Sequence, residues 1–414
     1  MEYSRKYLHL GKEIDPEDHV ICRYKIDTSI PMEDAAAAIA TEQSTGTWTD
    51  ITTLRDDIFL KLSGRVIDIK GNIATIAFPI EDFSLDIGGV PQILSVIAGN
   101  LFGLETLKGV RLEDAKFPKS MVRAFKGPKF GIDGMRNILK RPQKPFVGTI
   151  IKPKIGLNPD EMASYVYEAG MGGLTNSKDD ETLVNQRFCP LEDRVVAIAE
   201  ALDKVESESG HKMIHAINIS TRADRIVEIA ERAQELGASE IMIDIFTCGF
   251  AALQAVAEDP SIKIPIHVHR TMHAAFTRNE NHGIAMSPLA KLVRMCGGDA
   301  LHVGTFGVGK MKGSPEEDLA SQRSCTEELY GLKPTLPVCS GGIYPALVPE
   351  LVKIAGNDIQ IQAGGGVAGH PKGIRAGARA MSQAVDASFK GISLEEYARD
   401  HVELREALER WKKR

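Results

Sequence analysis

The 414-residue sequence has no apolar run that approaches the roughly 20 residues a membrane-spanning helix needs. Its first stretch, Met1 to His19, carries charges throughout and no apolar signal core, so we expect a cytoplasmic protein. The six cysteines form no Cys-x-x-Cys pair. We therefore expect small buried cysteines in a reducing compartment, and neither a disulfide framework nor a zinc site.

The sequence also lacks an excess of positive charge. Its 50 Lys and Arg residues are outnumbered by 56 Asp and Glu residues, which gives a formal net charge of −6. General binding to nucleic acid or to anionic membranes needs a positive surface, so neither is expected as a partner. A hydrophobic fraction of 43% beside 26% charged residues excludes collagen-like, coiled-coil and disordered classes.

The first part of the chain mixes strand and helix patterns. The elements are, in order, a strand at His19–Ile26, a helix opened by Pro31, two strands around Gly71-Asn72, a helix at Val90–Ala98 and a strand at Gly109–Leu112. This β-α-β-β-α-β order predicts an α+β domain of the ferredoxin-like type over residues 1–130. A connection rich in Gly, Pro, Lys and Arg follows and is placed at 131–145.

The pattern becomes regular after this connection. Apolar strand-like runs lie at Phe146–Ile151, Gly173–Ser177, Met213–Ile217, Glu240–Phe246, Ile264–His269, Ala300–Val303, Leu336–Cys339 and Ile359–Gln362. Eight β-α units in roughly 240 residues predict a closed (β/α)₈ TIM barrel over 146–390, with a helical extension over 391–414. A doubly wound open sheet is the alternative, but its glycine fingerprint after the first strand is missing.

In such a barrel, the residues that follow the strands at one rim carry the chemistry. Lys152 and Lys154 follow the first run. They suit anion binding, together with a lysine whose pKa is lowered by its neighbour and that is fit for proton transfer. A pair of solvated loop charges is the alternative interpretation.

Acidic residues follow the second run, in the order Lys178-Asp179-Asp180-Glu181. Three adjacent carboxylates repel each other unless a cation lies among them, and such hard oxygen ligands suit Mg²⁺. A solvated acidic loop is again the alternative, but the position at a strand end favours a metal site.

Histidines mark the fifth and sixth runs. His267 and His269 lie on one face of a strand, which leaves transition-metal ligation open, whereas His269 beside Arg270 suits an oxyanion or phosphate. The segment Gly304–Lys310 begins like a P-loop, but Met311 stands where Ser or Thr would hold Mg²⁺. A mobile glycine-hinged lid that carries Lys310 fits this segment better.

Glycines end the last two runs, at Ser340-Gly341-Gly342 and Gly364-Gly365-Gly366. Glycine lets backbone N–H groups approach a phosphate at this corner of a barrel, although plain tight turns are possible for either alone. Together these rim residues predict an enzyme that binds a small phosphorylated substrate on Mg²⁺. Its lysines would move protons in a reaction that passes through a metal-stabilised enediolate.

The motifs, in their order, resemble the large chain of ribulose-1,5-bisphosphate carboxylase/oxygenase (RuBisCO). They are Glu42–Trp48, Gly99–Gly103, Ile151–Lys154, Gly172-Gly173-Leu174 with Lys178–Glu181, His267–His273, Leu301–Thr305, Ser340–Gly342 and Gly364–Gly366. The resemblance spans about Ile21 to His370. The short termini and the wording of the motifs are similar to the archaeal, form III branch.

The resemblance implies a role for each site residue. Lys178 would be carbamylated by an activating CO₂ and would complete the Mg²⁺ ligand set with Asp180 and Glu181. The carbamate would also be the base for the C3 proton, while Lys152 delivers a proton at C2 with the support of Lys154. His269 would assist further proton transfers, and Lys310 would stabilise the new carboxylate. One phosphate would be bound by Arg270, His302 and Ser340, and the other by Thr47, Trp48, Gly342, Gly364 and Gly365, with Gly341 as a further substrate-binding residue. Glu42 and Asn100 would complete the site from a second subunit.

The implied reaction is the carboxylation, and the oxygenation, of ribulose 1,5-bisphosphate to 3-phosphoglycerate. A site shared between chains implies a homodimer or a larger homo-oligomer of dimers, and no small subunit is expected. The main alternative is a RuBisCO-like enolase or isomerase that acts on a methylthio-diketopentyl phosphate. Such relatives tend to lose substrate-binding and lid residues that this sequence keeps. A non-enzymatic phosphometabolite sensor would predict broken chemistry at Lys152, Lys178 or Asp180, and none is broken.

The sequence departs from the family pattern in two places. Lys312 stands where the family usually has an acidic residue two positions after the lid lysine, which leaves lid dynamics and CO₂/O₂ discrimination open. Thr175-Asn176-Ser177 precedes the predicted carbamylation site, where an Asp-hydrophobic pair is commoner. Neither change removes a residue to which the resemblance gives a chemical role.

Overall fold

The computed structural model describes residues 2–310 and 313–412. The chain divides into two compact units. The first comprises Met1–Lys126, Met272–Met295 and Glu328–Leu332, and the second comprises Gly127–Thr271, Cys296–Glu327 and Lys333–Arg414. Two short segments within the predicted barrel region therefore belong to the first unit.

The described residues form strands and helices in alternation. In chain order the strands are β1 (His19–Thr28), β2 (Arg65–Lys70), β3 (Ile73–Pro79), β4 (Leu107–Lys116), β5 (Phe146–Ile150), β6 (Asn176–Lys178), β7 (Ile214–Asn218), β8 (Glu240–Asp244), β9 (Ile266–His269), β10 (Gly283–Ile284), β11 (Ala300–His302), β12 (Leu336–Ser340) and β13 (Gln360–Gln362). The α-helices are α1 (Met32–Glu42), α2 (Asp56–Leu62), α3 (Gly89–Ile97), α4 (Lys119–Arg123), α5 (Gly131–Leu139), α6 (Pro159–Met171), α7 (Leu191–Ser209), α8 (Ile226–Glu235), α9 (Ile245–Cys248), α10 (Phe250–Glu258), α11 (Ala274–Thr277), α12 (Met286–Cys296), α13 (Pro315–Thr326), α14 (Val348–Ala355), α15 (Gly365–Ala368), α16 (Ile374–Lys390), α17 (Leu394–Tyr397) and α18 (Val402–Trp411). Among these residues, no helix has both the length and the apolar character needed to cross a membrane.

The first unit is built on a sheet with the strand order β10-β4-β1-β3-β2. Strand β1 pairs antiparallel with β3 and β4, and β2 and β3 form an antiparallel hairpin. Burial of Val20, Cys22, Tyr24 and Ile26 confirms the alternation on which the β1 prediction rests. The order β4-β1-β3-β2, with α1 and α3 as crossovers, is the predicted ferredoxin-like arrangement, to which β10 adds a short parallel edge.

The second unit contains a closed parallel barrel in the order β11-β12-β13-β5-β6-β7-β8-β9, which confirms the predicted TIM barrel. The barrel strands differ from their predicted bounds by one to three residues at an end, and two of these differences have a clear structural cause. Strand β6 begins after Gly173, because Gly173 has a positive φ of 92° and its N–H still bonds to Gly170 of α6. Strand β8 ends at Asp244, because the apolar pair that follows it begins the short helix α9.

The strand register stacks the interior side chains in layers, because neighbouring strands shift by one residue around the barrel. The lower end of the barrel is the end at which the strands begin. The first layer, at this end, holds Phe146, Ile214 and Leu336, and the second holds Asn176, Glu240, Ala300 and Gln360. The third holds Gly148, Ala216, His267 and Val338, the fourth Lys178, Met242, His302 and Gln362, and the fifth, at the rim, Ile150, Asn218, His269 and Ser340. The lowest layer packs against Ile132, Met135 and Leu139 of α5. The barrel is therefore apolar in its lowest layer and contains polar side chains in every layer above it.

Candidate active site

The end of β6 buries a lysine beside carboxylates. Lys178 is 1% exposed, its Nζ donates to the backbone oxygen of Asp179 at 2.7 Å, and Glu181 Oε2 lies 3.9 Å from it. Burial lowers the pKa of the Lys178 ammonium, although the carboxylates of Glu181 and Asp180 oppose this effect. A lysine with a lowered pKa has more of the neutral amine that can react with CO₂.

The donor set suits a magnesium site only if Lys178 is modified. Among residues 2–310 and 313–412, no group of three or more His, Cys, Asp and Glu side chains is placed to hold a metal ion. The carboxylates of Asp180 and Glu181 provide two hard oxygen ligands, and Mg²⁺ prefers such ligands in an octahedral arrangement. A carbamate on Lys178 would add the third, so the residues present fit the ion.

Asp179 faces away from this cluster and anchors it. Its Oδ2 accepts from Arg194 Nε at 3.0 Å and from the backbone N–H of Asn218 at 2.9 Å. Its Oδ1 lies 3.0 Å from Nε2 of His215, whose Nδ1 is 2.7 Å from the hydroxyl of Ser177. Burial alone would raise the pKa of Asp179, but Arg194 and His215 hold it below its usual range.

Sequence reasoning treated Asp179 as one of three carboxylates around a cation and missed its partners. Successive side chains of a strand point to opposite faces, so the alternation along β6 already separates Asp179 from Lys178. Arg194, on the following helix α7, gave no local signal. Its guanidinium is fully buried and also donates to the backbone oxygens of Cys189 and Val184.

The two lysines after β5 lie against the same acidic cluster. Lys152 Nζ donates to Asp180 Oδ2 at 3.2 Å, and Lys154 Nζ lies 3.5 Å from Asp180 Oδ1 and 3.4 Å from Glu181 Oε1. Burial opposes the charge of Lys154, but Glu181 and Asp180 raise its pKa above the usual value. Of the two lysines, Lys154 is therefore not one with a lowered pKa, since its carboxylate neighbours outweigh the effect of burial.

His269 joins the cluster from the end of β9. Its Nε2 lies 3.8 Å from Glu181 Oε2, and its Nδ1 accepts from the backbone N–H of Thr271 at 3.2 Å and lies 3.3 Å from Asp244 Oδ1. Burial raises the pKa of Asp244 to about 7, while Lys178 opposes the rise. Sequence reasoning missed Asp244, although it ends a barrel strand.

The predicted phosphate residues of the barrel lie at neighbouring strand ends. His302 Nδ1 is 2.7 Å from the Ser340 hydroxyl. Arg270 follows His269 and is half-buried. Burial lowers the pKa of its guanidinium, although the carboxylates of Asp318 and Glu317 oppose this effect. The site therefore collects cationic and hydroxyl groups beside the acidic cluster.

The glycine corners allow close approach between segments. A Cβ on Gly342, whose φ is 76°, would meet Lys310 Cβ at 2.3 Å, and the N–H of Lys310 donates to the oxygen of Gly341 at 2.8 Å. A Cβ on Gly364, which precedes Gly365, would meet Lys152 Cε at 3.0 Å. These contacts bring the lid lysine to the seventh strand end and the first and eighth strand ends together. Lys312 lies outside the described residues.

The remaining predicted residues belong to the first unit. Glu42 ends α1, and its Oε1 accepts from Asn100 Nδ2 at 3.4 Å. Thr47 is half-buried, and Trp48 is 79% exposed, the second-largest exposed fraction among the large apolar side chains that are exposed in the described chain. Glu42 and Asn100 are thus adjacent, and Trp48 is free to contact a ligand or another chain.

A closed (β/α)₈ barrel with a lysine–carboxylate cluster at the carboxyl ends of its strands defines a class of barrel enzymes with metal-assisted chemistry. Comparison with known proteins narrows this class. The model of the ribulose bisphosphate carboxylase large chain catalytic domain matches residues 131–411, and the model of its N-terminal domain matches residues 7–121. The chain belongs to this family, as its motifs predicted.

Individual relatives agree over the whole length. The ribulose bisphosphate carboxylase of Methanocaldococcus jannaschii is 43% identical over 92% of this chain and 94% of its own, and that of Archaeoglobus fulgidus is 39% identical over 99% and 98%. Among solved structures, an octameric Rubisco from Pyrococcus horikoshii, in complex with sulfate, has a TM-score of 0.93 at 39% identity and covers 98% of this chain and 96% of its own. A dimeric archaeal Rubisco from Hyperthermus butylicus has a TM-score of 0.90 at 38% identity and covers 99% of both chains. These relatives are archaeal, as the wording of the motifs predicted.

We predict that Arg194→Met destabilises the protein by about 3–5 kcal/mol, because it leaves the Asp179 carboxylate buried without its cation. Urea unfolding at neutral pH measures the change. Arg232→Met is the matched control, since Arg232 pairs with Glu192 at the surface and its loss should cost at most about 1 kcal/mol. A similar cost for both variants would show that Asp179 does not depend on the ion pair.

Proposed function

We propose that this chain catalyses the Mg²⁺-dependent carboxylation of ribulose 1,5-bisphosphate to 3-phosphoglycerate, with oxygenation as the competing reaction. The observation that carries the proposal is the buried Lys178 beside Asp180 and Glu181 at the barrel rim, in a member of the RuBisCO family. The full-length relatives named above are called ribulose bisphosphate carboxylase, which favours carboxylation over the enolase or isomerase alternative.

The acidic cluster is proposed to prepare the metal site. Lys178, held at a lowered pKa by burial, reacts as a neutral amine with an activating CO₂. The resulting carbamate, Asp180 and Glu181 would hold Mg²⁺, which supplies electrostatic stabilisation of the negative charge that develops on the substrate oxygens. The carbamate is proposed to accept the C3 proton of the substrate.

The neighbouring side chains are proposed to move the other protons. Lys152 delivers a proton at C2 late in the reaction, which its contact with Asp180 at 3.2 Å supports because that contact holds its Nζ beside the acidic cluster. Lys154, with a raised pKa, remains an ammonium and supports Lys152 electrostatically. His269, between Glu181 and Asp244, assists the remaining proton transfers.

Two groups of residues are proposed to bind the substrate phosphates. One group is Arg270, His302, Ser340 and Gly341; the other is Thr47, Trp48, Gly342, Gly364 and Gly365. Lys310 stabilises the new carboxylate from its loop, which already contacts Gly341. The positive charges and donors of these groups suit dianionic ligands.

The chain is proposed to act as a homodimer or a larger homo-oligomer without a small subunit. Glu42 and Asn100 would complete the active site of a second subunit, with Glu42 anchoring Lys310. The dimeric and octameric relatives support a homo-oligomeric assembly.

Fixation of labelled CO₂ tests the proposed function. The purified protein is pre-incubated with bicarbonate and Mg²⁺ without oxygen, and the reaction is started with ribulose 1,5-bisphosphate. We expect labelled 3-phosphoglycerate. No label from a folded, Mg²⁺-binding protein would favour the enolase alternative, and the methylthio-diketopentyl phosphate would be the next substrate.

Lys178→Ala should abolish turnover and the trapping of activating CO₂ while the fold is retained, because no other amine lies buried among these carboxylates in the described chain. Chemical trapping of labelled CO₂ as a stable lysine derivative measures the modification without turnover, and circular dichroism checks the fold. Lys204→Ala, at an exposed site on α7, should behave like the wild type. Unchanged trapping in Lys178→Ala would contradict the carbamate assignment.

Lys310→Ala should separate the two halves of the reaction. Enolisation needs the cluster around Lys178 and should persist, whereas carboxylation should fall by at least about tenfold, equivalent to 1.4 kcal/mol of transition-state stabilisation. Exchange of the C3 proton with solvent measures the first half, and CO₂ fixation the second. Equal loss of both activities would count against a role in stabilising the new carboxylate.

A further inference from the structure

A carboxylate that the proposed chemistry does not use lies inside the barrel. Glu240 begins β8 and is fully buried, and neither of its oxygens has a hydrogen-bond partner among the residues that the structure describes. The ion pair found for it within the described residues is with His267, whose Nδ1 lies 3.8 Å from Oε1. Because a buried carboxylate without a donor is strongly unfavourable, this pair has to share or acquire a proton.

A chain of close contacts links Glu240 to the rim. Nε2 of His267 lies 2.8 Å from Nε2 of His302, and Nδ1 of His302 lies 2.7 Å from the Ser340 hydroxyl. Each member stands on the next strand around the barrel and one layer higher than the last. This series of contacts therefore extends from Glu240, in the second interior layer, to Ser340 at the rim, which is proposed above to bind a phosphate.

The two histidines decide which way the Ser340 hydrogen points. His302 is neutral, since burial and the surrounding cationic groups hold its pKa well below the usual value. If His267 is also neutral and carries its hydrogen on Nδ1, which faces the Glu240 carboxylate at 3.8 Å, its Nε2 accepts from His302. Nδ1 of His302 then accepts the Ser340 hydrogen, and the hydroxyl presents only lone pairs to the rim.

One further proton reverses the direction of the hydrogen bonds between His267, His302 and Ser340. If Glu240 and His267 together hold it, His267 carries a hydrogen on each ring nitrogen: Nδ1 faces the Glu240 carboxylate in the ion pair, and Nε2 donates to His302. His302 then carries its hydrogen on Nδ1 and donates it to Ser340, whose own hydrogen becomes free for an anion at the rim.

We propose that Glu240 and His267 form a buried proton-accepting pair that takes up one proton from solvent when an oxyanion, such as a phosphate group, binds at Ser340. The added proton leaves His267 with a hydrogen on each ring nitrogen opposite the Glu240 carboxylate. His302 stays neutral and exchanges its Nε2 hydrogen for one on Nδ1, so one proton enters and the charge remains on His267. By linkage, proton uptake and anion binding strengthen each other. Glu240 is thus a positioning residue, and the inference rests on the phosphate role proposed for Ser340.

Other titratable groups lie around Glu240, His267 and His302. Burial raises the pKa of Asp299, which Glu240 also affects electrostatically, to about 6, but the backbone N–H groups of Gly131, Ile266 and Phe130 oppose the rise. The groups that act on His302 besides His267 are His269, Lys178 and Arg270. In the layer of Glu240, Asn176 and Gln360 contribute neutral amides. His267 is therefore the base in contact with the Glu240 carboxylate.

Titration calorimetry with sodium sulfate tests the proposal, because sulfate does not titrate near neutral pH and any proton taken up belongs to the protein. Measurements in buffers of different ionisation enthalpy give the number of protons per anion. We expect about one for the wild type and close to none for Glu240→Gln, whose neutral amide can donate to His267 without a proton from solvent. Glu235→Gln, at an exposed position on α8, should match the wild type.

Selective ¹⁵N-histidine labelling provides a second readout. In the wild type, sulfate should shift the His267 and His302 signals towards the protonated and the Nδ1–H forms, respectively, and Ser340→Ala should remove both this shift and the proton uptake. If Glu240→Gln does not fold, Glu240→Met, which removes charge and hydrogen bonding at similar volume, takes its place.

Equal proton uptake in the wild type and the Glu240 variant would overturn the proposal, and so would histidine signals that sulfate leaves unchanged in the wild type. Failure of the proposed function is distinguishable, because it appears as absent CO₂ fixation by the wild type. Failure of the proton-accepting pair leaves fixation intact.

Discussion

The buried ion pair between Asp179 and Arg194 is the constraint on which the active-site end of β6 depends. The carboxylate accepts from Arg194 and a backbone N–H group and contacts His215, so the residue between Lys178 and Asp180 has one fixed orientation. Strand alternation then turns Lys178 and Asp180 to the opposite side, towards the barrel interior and the rim. A buried pair of this kind stabilises little in net terms, but removal of one partner is costly. The ion pair matters here because it fixes the orientation of Asp179 and thereby of Lys178 and Asp180.

Two electrostatic effects act in opposite directions on the charge of Lys178, at the end of the same strand. Burial favours the neutral amine of Lys178, whereas the carboxylates around it favour the ammonium. Lys152 and Lys154 contact these carboxylates and neutralise part of their charge, which weakens the second effect. A carbamate would convert a basic side chain into an acidic one, so the lysines that now balance two carboxylates would also be available to balance a third. The cationic residues at the first strand end therefore belong to the electrostatics of the acidic cluster as much as to proton transfer.

Much of the fold could be predicted from the local periodicity of apolar residues along the sequence. Eight apolar runs at even spacing specify a barrel, and the alternation in β1 specifies a half-buried strand. The predicted strand bounds were wrong where the tertiary structure overrides the local apolar pattern. The apolar residues after Asp244 continue the β8 pattern but form helix α9, and Gly173 belongs to the end of a helix although it begins an apolar run.

The candidate site was predictable to the extent that its residues stand at strand ends in recognisable order. Lys152, Lys178, Asp180 and Glu181 meet in the structure as barrel topology requires. The supporting residues were not predictable, since Arg194 and His215 are chosen by three-dimensional proximity to Asp179 and have no spacing rule. The raised pKa of Lys154 was not predictable for the same reason, because its distances to Glu181 and Asp180 decide the direction.

The barrel interior shows how one architecture carries both stability and chemistry. Below, Phe146, Ile214 and Leu336 pack against α5 in an apolar layer that excludes water. Above it, amides, imidazoles and a carboxylate replace aliphatic side chains, and several of their polar atoms have no protein partner within the described residues. Such atoms lower stability unless water or protons satisfy them. Their concentration on the side of the rim, away from α5, indicates that the polar interior is retained for what it does to the site, since an aliphatic filling would pack as well and cost less.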